Sequence, residues 1–196
     1  MNVYLVRHGQ SQSNVERRYC GNYDSNLTDI GRKQAETVRQ KLQYINFDAV
    51  FCSDRTRAKE TAQIILKDKN IKIAYDVRLN ETNFGIFENK KYDEIKKLYP
   101  EESTQWERNW KNYAIPEGES VAMSFERVKN FMKRLESIQQ PDSNVLVVTH
   151  GGILRLFYCY ILNHNIELFW KFSAKNIGVS VIKYEYDNWY IDSIGI

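Results

Sequence analysis

Two short apolar segments that each end in a histidine and a glycine constrain this chain most strongly. They read V-Y-L-V-R-H-G from Val3 and V-L-V-V-T-H-G from Val145. Aliphatic and β-branched runs of this length are typical of buried parallel strands, whose carboxyl ends face the crevice where open α/β sheets bind ligands. We therefore expect the two strands to be neighbours, with His8 and His150 facing one pocket.

The order of apolar strands and helical patterns along the chain favours an α/β fold. Their alternation predicts a three-layer α/β/α arrangement, a mostly parallel sheet with helices on both faces. The predicted strands are 3–6, 48–52, 71–74 and 144–149, the predicted helices are 28–42, 56–66, 120–139 and 153–162, and a hairpin is predicted over 178–186 and 189–194. Thr28 is the predicted N-cap of the first helix.

Length and composition are those of one domain. The chain has 196 residues, 42% of them hydrophobic, and we expect a single domain over 1–196. Residues 80–119 carry short helical pieces and no clear strand. We expect this excursion from the sheet to form the lid and the specificity walls of a site.

Charge and cysteine usage exclude several function classes. The 28 basic and 25 acidic residues are interspersed, whereas a nucleic-acid partner would require a basic cluster. Three widely spaced cysteines favour a reduced compartment over a disulfide framework or a zinc site. The first apolar run ends at Arg7, and 144–162 is broken by His150 and Arg155, so we expect neither a leader nor a membrane segment. A cytoplasmic protein is predicted, and its oligomeric state, a homodimer included, stays open.

Further polar residues follow the predicted strands. They are Arg7, Asn14, the arginines at 55 and 57, and Glu81. Arginine forks beside helix N-termini suit a tetrahedral dianion, so the expected substrate group is a phosphate. Because no metal-binding cluster accompanies them, we expect no metal and no cofactor. The predicted reaction is covalent catalysis by a neutral imidazole, with Glu81 moving the proton.

The run Arg7-His8-Gly9-Gln10-Ser11, with Asn14 three residues later, resembles the R-H-G-E/Q-S/T-x-x-N signature of the histidine phosphatase superfamily, the phosphoglycerate mutase-like fold. The resemblance continues in order through Gly21, L-T-x-x-G from Leu27, S-D-x-x-R-A-x-x-T-A from Ser53, L-x-E-x-x-F-G from Leu79 and T-H-G-G from Thr149. Five motifs in one order make this signal specific.

The resemblance implies a role for each matched residue. His8 is the phosphoryl-accepting nucleophile, Glu81 is the proton donor, and Arg7, Arg57 and His150 complete the phosphate pocket. Further substrate contacts are implied at Ser11, Asn14, Gly21 and the amide of Gly151. The family arginine precedes Ala-x-x-Thr, which selects residue 57 over Arg55; Arg55 is left as a substrate contact or a surface residue.

Within residues 80–119 and near the C-terminus, the chain resembles the α-ribazole phosphatases of this superfamily. The matching runs are W-E-R-N-W from Trp106, A-I-P-E-G-E from Ala114 and F-W-x-F from Phe169. Trp106 and Trp110 would stack on a benzimidazole ring, or else anchor the core. The implied substrate is α-ribazole 5′-phosphate, a small phosphorylated metabolite.

Several alternatives remain at this stage. The substrate could instead be phosphoserine or a phosphosugar, and the enzyme could be a phosphoglycerate mutase. The short chain favours a phosphatase, since an open pocket admits water to the phosphohistidine. A module that binds phosphate without turnover is a third reading. Ser53 could bond phosphate or its own backbone, and His164 is expected to mark only the end of a helix.

Overall fold

The computed structural model describes residues 1–138 and 140–195, which form a six-stranded mixed sheet. Its strands are β1 (Asn2–Arg7), β2 (Ala49–Cys52), β3 (Ile73–Tyr75), β4 (Asn144–Thr149), β5 (Val179–Glu185) and β6 (Asn188–Ser193). They lie in the order β3-β2-β4-β1-β5-β6. The first four are mutually parallel, and β5 is antiparallel to both β1 and β6.

Helices cover both faces of the sheet. The α-helices are α1 (Gln12–Glu16), α2 (Asp29–Lys41), α3 (Thr56–Ile65), α4 (Tyr92–Leu98), α5 (Pro100–Arg108), α6 (Val121–Ser137) and α7 (Gly151–Ile161). Alternate β4 residues point to opposite faces: Val147 packs with α6 and α7, and Val148 packs with α2 and α3. The predicted three-layer fold with a mostly parallel sheet is therefore confirmed.

Individual element boundaries differ in physically understandable ways. The Thr28 hydroxyl accepts a hydrogen bond from the Gly31 N–H at 3.0 Å, as its N-cap role requires. Helix α7 begins at Gly151, two residues before its predicted start. The five-residue α1 was not predicted, since it is too short to show a helical period. The predicted ends at 139 and 196 lie outside the described residues.

The register of β1 against β4 brings the two histidines together. Arg7 pairs with Thr149, the residue before His150, so both strands reach the same edge of the sheet. His8 and His150 follow directly, with ring centres 5.0 Å apart. The predicted adjacency of the two strands is confirmed.

Residues 80–119 leave the sheet and pack on a core of their own. Phe87, Ile95 and Ile115 are buried there, with Trp106 packed against them. The Arg127 guanidinium on α6 holds the end of this segment through an ion pair to Glu119 at 2.6 Å.

Among the described residues, none of the helices combines the length and the apolar character needed to span a bilayer.

Candidate active site

His8 is a buried imidazole whose Nε2 carries no proton. Its side chain sits at the end of β1, and the residue is 3% exposed. Nδ1 lies 2.7 Å from the Gly9 carbonyl oxygen, which can only accept, so Nδ1 carries the proton and Nε2 keeps its lone pair. Burial first, then the nearby Arg57 and Arg7 charges, hold the pKa of His8 well below 6.5. The ring is therefore neutral at pH 7.

His150 is fixed in the opposite tautomer. The Nε–H of Arg57 donates to its Nδ1 at 3.2 Å, so the His150 proton is on Nε2. Nε2–H donates to the Ser53 hydroxyl at 2.7 Å, which in turn donates to Asn80 Oδ1 at 2.7 Å. Burial and the Arg57 charge keep the pKa of His150 well below 6.5. The second imidazole is thus a neutral N–H donor beside the first.

Arg57 is a buried guanidinium at the start of α3, and four of its five N–H groups donate within the protein. It is 1% exposed. Besides His150, it donates to the carbonyl oxygens of Cys20 and Gly21 at 3.0 Å and of Tyr23 at 3.1 Å. The charge is therefore held in one position by the loop 20–23, which closes this side of the pocket.

Glu88 holds that loop, although no motif or period in the sequence singles this residue out. Its carboxylate accepts hydrogen bonds from four backbone N–H groups, those of Gly21, Asn22, Tyr23 and Phe84, at 2.7–3.1 Å. A Cβ at position 21 would overlap the Thr82 carbonyl oxygen, so only glycine fits there. Both backbone polar groups of Gly21 are engaged, by Glu88 and Arg57. Gly21 thus shapes the pocket wall, and its N–H does not point into the pocket.

Asn176 is a second residue that the sequence did not reveal. Its Nδ2 donates to the His8 carbonyl at 2.9 Å and to Asn14 Oδ1 at 3.1 Å. The Ser11 N–H donates to the same Oδ1 at 3.1 Å, so the amide NH2 of Asn14 turns the other way, toward the pocket that this residue lines. Arg7 is tied to the same region by a bond from its guanidinium to the Ala174 carbonyl. The segment 174–176 therefore orients three predicted site residues.

Glu81 lies at the N-terminus of α7. Its Oε2 accepts the Gly152 N–H at 2.9 Å, and its Oε1 accepts the Thr82 N–H at 3.0 Å. A Cβ at position 152 would overlap this carboxylate, so the glycine is needed for the approach. Gly151 in turn packs against the Arg7 guanidinium. The carboxyl group is thereby held beside the predicted phosphate-binding arginines.

Two adjoining cavities meet at these residues. The first, which we call the phosphate pocket, has a volume of about 250 Å³ and is lined by His8, Asn14, Arg17, Arg57 and others. The second, the aromatic cavity, has a volume of about 280 Å³. Its aromatic lining residues are Phe84, Trp106, Phe169 and Trp170. Arg7, Glu81 and Phe84 line both cavities, which places the Glu81 carboxyl at their boundary.

The remaining predicted contacts lie in different surroundings. Trp106 lines the aromatic cavity, but Trp110 packs on Phe169 with ring centres 5.5 Å apart and does not line it, as far as the described residues show. Arg55 is ion-paired with Asp54 at 2.9 Å and donates to the Asn22 carbonyl, outside both cavities. Buried Ser11 caps α1, and its hydroxyl has no partner among the described residues.

We expect the two neutral histidines to make stability fall with acid. In the unfolded chain each imidazole would have a pKa of about 6.5, whereas in the folded state the pKa of each is well below that value. Below that pH the unfolded state binds more protons, so the free energy of unfolding should drop by about 1.4 kcal/mol per pH unit for each histidine.

Urea unfolding followed between about pH 5 and 7 measures this slope, since most carboxyl groups titrate at lower pH. His150→Gln should lose roughly half of it. A wild-type slope near zero in this window would show that the two imidazoles are not held neutral.

Comparison with known proteins agrees with this geometry. Residues 3–196 match the model of the histidine phosphatase superfamily, branch 1. The chain is 31% identical over 172 residues to an adenosylcobalamin/α-ribazole phosphatase of Escherichia coli K12, covering 88% of this chain and 84% of that protein. It is 31% identical over 183 residues to phosphoserine phosphatase 1 of Hydrogenobacter thermophilus, covering 93% and 86%.

A solved structure gives the same result for the fold. The α-ribazole phosphatase of Shigella flexneri superimposes with a TM-score of 0.94 at 30% identity, covering 100% of this chain and 96% of that one. The family model spans nearly the whole sequence. The chain belongs to the histidine phosphatase superfamily, branch 1.

Proposed function

We propose that this protein is a phosphomonoester hydrolase that works through a phosphohistidine on His8 and requires no metal. The observation that carries the proposal is the His8 ring, a buried neutral imidazole with an unprotonated Nε2 beside Arg7 and Arg57. Such a nitrogen is a nucleophile at pH 7, and the guanidinium groups match the charge of a phosphate dianion.

The first half of the reaction forms the intermediate. The His8 Nε2 lone pair bonds to phosphorus while the phosphorus–oxygen ester bond breaks. The departing alkoxide takes a proton from the Glu81 carboxyl group at the boundary of the two cavities. Arg7 and Arg57 stabilise charge on the equatorial oxygens, and His150, held by Ser53, accepts the Arg57 Nε–H and fixes the position of that guanidinium.

The second half releases inorganic phosphate. Water gives a proton to the Glu81 carboxylate, and its oxygen bonds to phosphorus as the phosphorus–nitrogen bond breaks. The electron pair returns to Nε2, so His8 is again neutral and Glu81 is again protonated. Atoms and charges balance over the cycle without a cofactor.

We propose α-ribazole 5′-phosphate as the substrate, a small phosphorylated metabolite of the cobalamin nucleotide-loop pathway. The names of relatives alone do not decide this, because one is an α-ribazole phosphatase and another, equally similar, is a phosphoserine phosphatase. The aromatic cavity beside Glu81 favours the first, since flat rings pack on aromatic faces. A cytoplasmic location stays a prediction.

Substrate identity is tested by comparing kcat/KM for α-ribazole 5′-phosphate, phosphoserine and 3-phosphoglycerate in the presence of EDTA. We expect the first to be preferred and the chelator to have no effect. A preference for phosphoserine by orders of magnitude would contradict the substrate assignment. A requirement for added divalent metal would contradict the mechanism, and a transfer of phosphate to a second hydroxyl in place of its release would identify a mutase.

Glu81→Gln should separate the two proton transfers. With an alkyl phosphate, kcat should fall by about 10²- to 10⁴-fold, because no group protonates the leaving alkoxide. With p-nitrophenyl phosphate the leaving group needs no proton. Rapid-quench kinetics should therefore show a burst of one nitrophenolate per enzyme, followed by slow turnover. Equal losses on both substrates without a burst would mean that Glu81 only supports the N-terminus of α7.

A further inference from the structure

The aromatic cavity contains a cation that the phosphate chemistry does not use. Arg155 on α7 lines this cavity but not the phosphate pocket. Its Nε donates to the Phe172 carbonyl at 3.0 Å, and its guanidinium carbon lies 5.0 Å from the Trp170 ring centre and 5.4 Å from that of Phe169. The carbonyl and the two rings together fix the position and the tilt of the guanidinium plane.

The outer nitrogens of this guanidinium remain available. Within 1–138 and 140–195, neither Nη of Arg155 has a hydrogen-bond partner, and no carboxylate lies within ion-pair distance of it. Burial lowers the pKa of Arg155, and the Glu81 charge opposes that effect only in part. Neither Nη is among the buried atoms without a partner, so both are open to the cavity, where a ligand acceptor would form a charge-assisted hydrogen bond in place of water.

The surroundings of Arg155 restrict what that ligand is. Four of the twelve residues that line the cavity are aromatic: Phe84 and Trp106 line it together with the arginine's own ring partners. A flat, uncharged ring buries its faces there at no cost in charge desolvation. A carboxylate would give up its hydration against the same apolar surface.

We infer that Arg155 determines substrate specificity by donating through its Nη atoms to a hydrogen-bond acceptor on an uncharged, flat aromatic ring carried by the leaving alcohol. This inference rests on the proposed function, because it assigns the aromatic cavity to the alcohol part of the phosphomonoester. It adds a recognition contact that is separate from Arg7, Arg57 and the phosphate. Since the contact is made by the leaving group, it should be visible in the product alcohol as well.

Arg155→Met tests the inference, because methionine keeps apolar contact with the rings and removes the donors. We expect kcat/KM for α-ribazole 5′-phosphate to fall by about 10- to 100-fold, the effect of one charge-assisted hydrogen bond. Phenyl phosphate, which has the ring but no acceptor on it, should change less than about threefold. Inhibition by α-ribazole should weaken in parallel with the first substrate, and inhibition by inorganic phosphate should not change.

Lys171→Gln provides a matched control, since it removes one positive charge from an exposed position near the cavity without lining it. It should change none of these constants. If Arg155→Met lowered kcat/KM equally for α-ribazole 5′-phosphate and phenyl phosphate, the inference would be overturned. It would also be overturned if wild type preferred phosphoserine and the variant lost that preference. Failure of the proposed function is distinguishable: wild type would then not hydrolyse phenyl phosphate, or His8→Ala would retain that activity.

Discussion

His8→Ala is expected to abolish turnover, lowering kcat by about 10⁴-fold or more. The imidazole is the only side chain that the proposed reaction bonds to phosphorus, and its unprotonated Nε2 follows from the 2.7 Å contact of Nδ1 with the Gly9 carbonyl. Removing the ring leaves the cations in place, so phosphate binding should survive. Initial rates with p-nitrophenyl phosphate measure kcat. Inhibition of any residual activity by inorganic phosphate, or direct titration of the variant with phosphate, measures phosphate binding.

The third histidine supplies the control for this experiment. His164 stacks on Tyr160, with ring centres 4.4 Å apart, away from both cavities. His164→Ala should keep kcat within about threefold of wild type, the effect of a surface substitution. If His8→Ala remained active with a native circular dichroism spectrum, the phosphohistidine mechanism would be wrong.

Arg57→Ala is expected to impair both activity and stability. The substitution leaves three loop carbonyls and the His150 Nδ1 without their donor, each in a buried or half-buried position. Each orphaned acceptor costs about 1–3 kcal/mol, so the free energy of unfolding should fall by several kcal/mol in total. We also expect kcat/KM to fall by about 10³-fold, because a charge facing the phosphate is lost.

Arg55→Ala is the matched variant, since Arg55 is the N-cap of the same helix but is only half-buried and ion-pairs with the half-buried Asp54. It should cost less than about 1 kcal/mol. Urea midpoints and kcat/KM for both variants decide the comparison. If the two variants were equally stable and equally active, the choice of residue 57 over 55 would be wrong.

The sequence predicted those parts of the molecule whose signal is local. The apolar runs ending at His8 and His150 predicted two buried strands, and their adjacency follows once a parallel sheet is assumed. Thr28 predicted the start of a helix, and the alternation of apolar and polar residues predicted the hairpin over 178–186 and 189–194. Its turn, however, falls at Tyr186 and Asp187, both with positive φ.

The parts that were missed depend on contacts between distant segments. Asn176 binds the His8 carbonyl across 168 positions of the chain, and Glu88 reaches loop 20–23 across more than 60. Each is a single polar residue in an irregular segment, without a period or motif around it. Arg155 lies in a strongly apolar helix. In the sequence it shows only that the apolar segment 144–162 is interrupted by a charge and is therefore not a membrane span. Tertiary placement alone distinguishes these residues from ordinary surface groups.

The central claim is that a bond forms between phosphorus and Nε2 of His8. Quenching wild type and Glu81→Gln in alkali during turnover, followed by peptide mass spectrometry, tests it directly, because a phosphoramidate survives base and is lost in acid. The expected result is one phosphoryl group per chain, located on His8 and enriched in Glu81→Gln, where its hydrolysis is slow. Phosphate found on another residue, or no alkali-stable adduct during a measured burst, would contradict the claim.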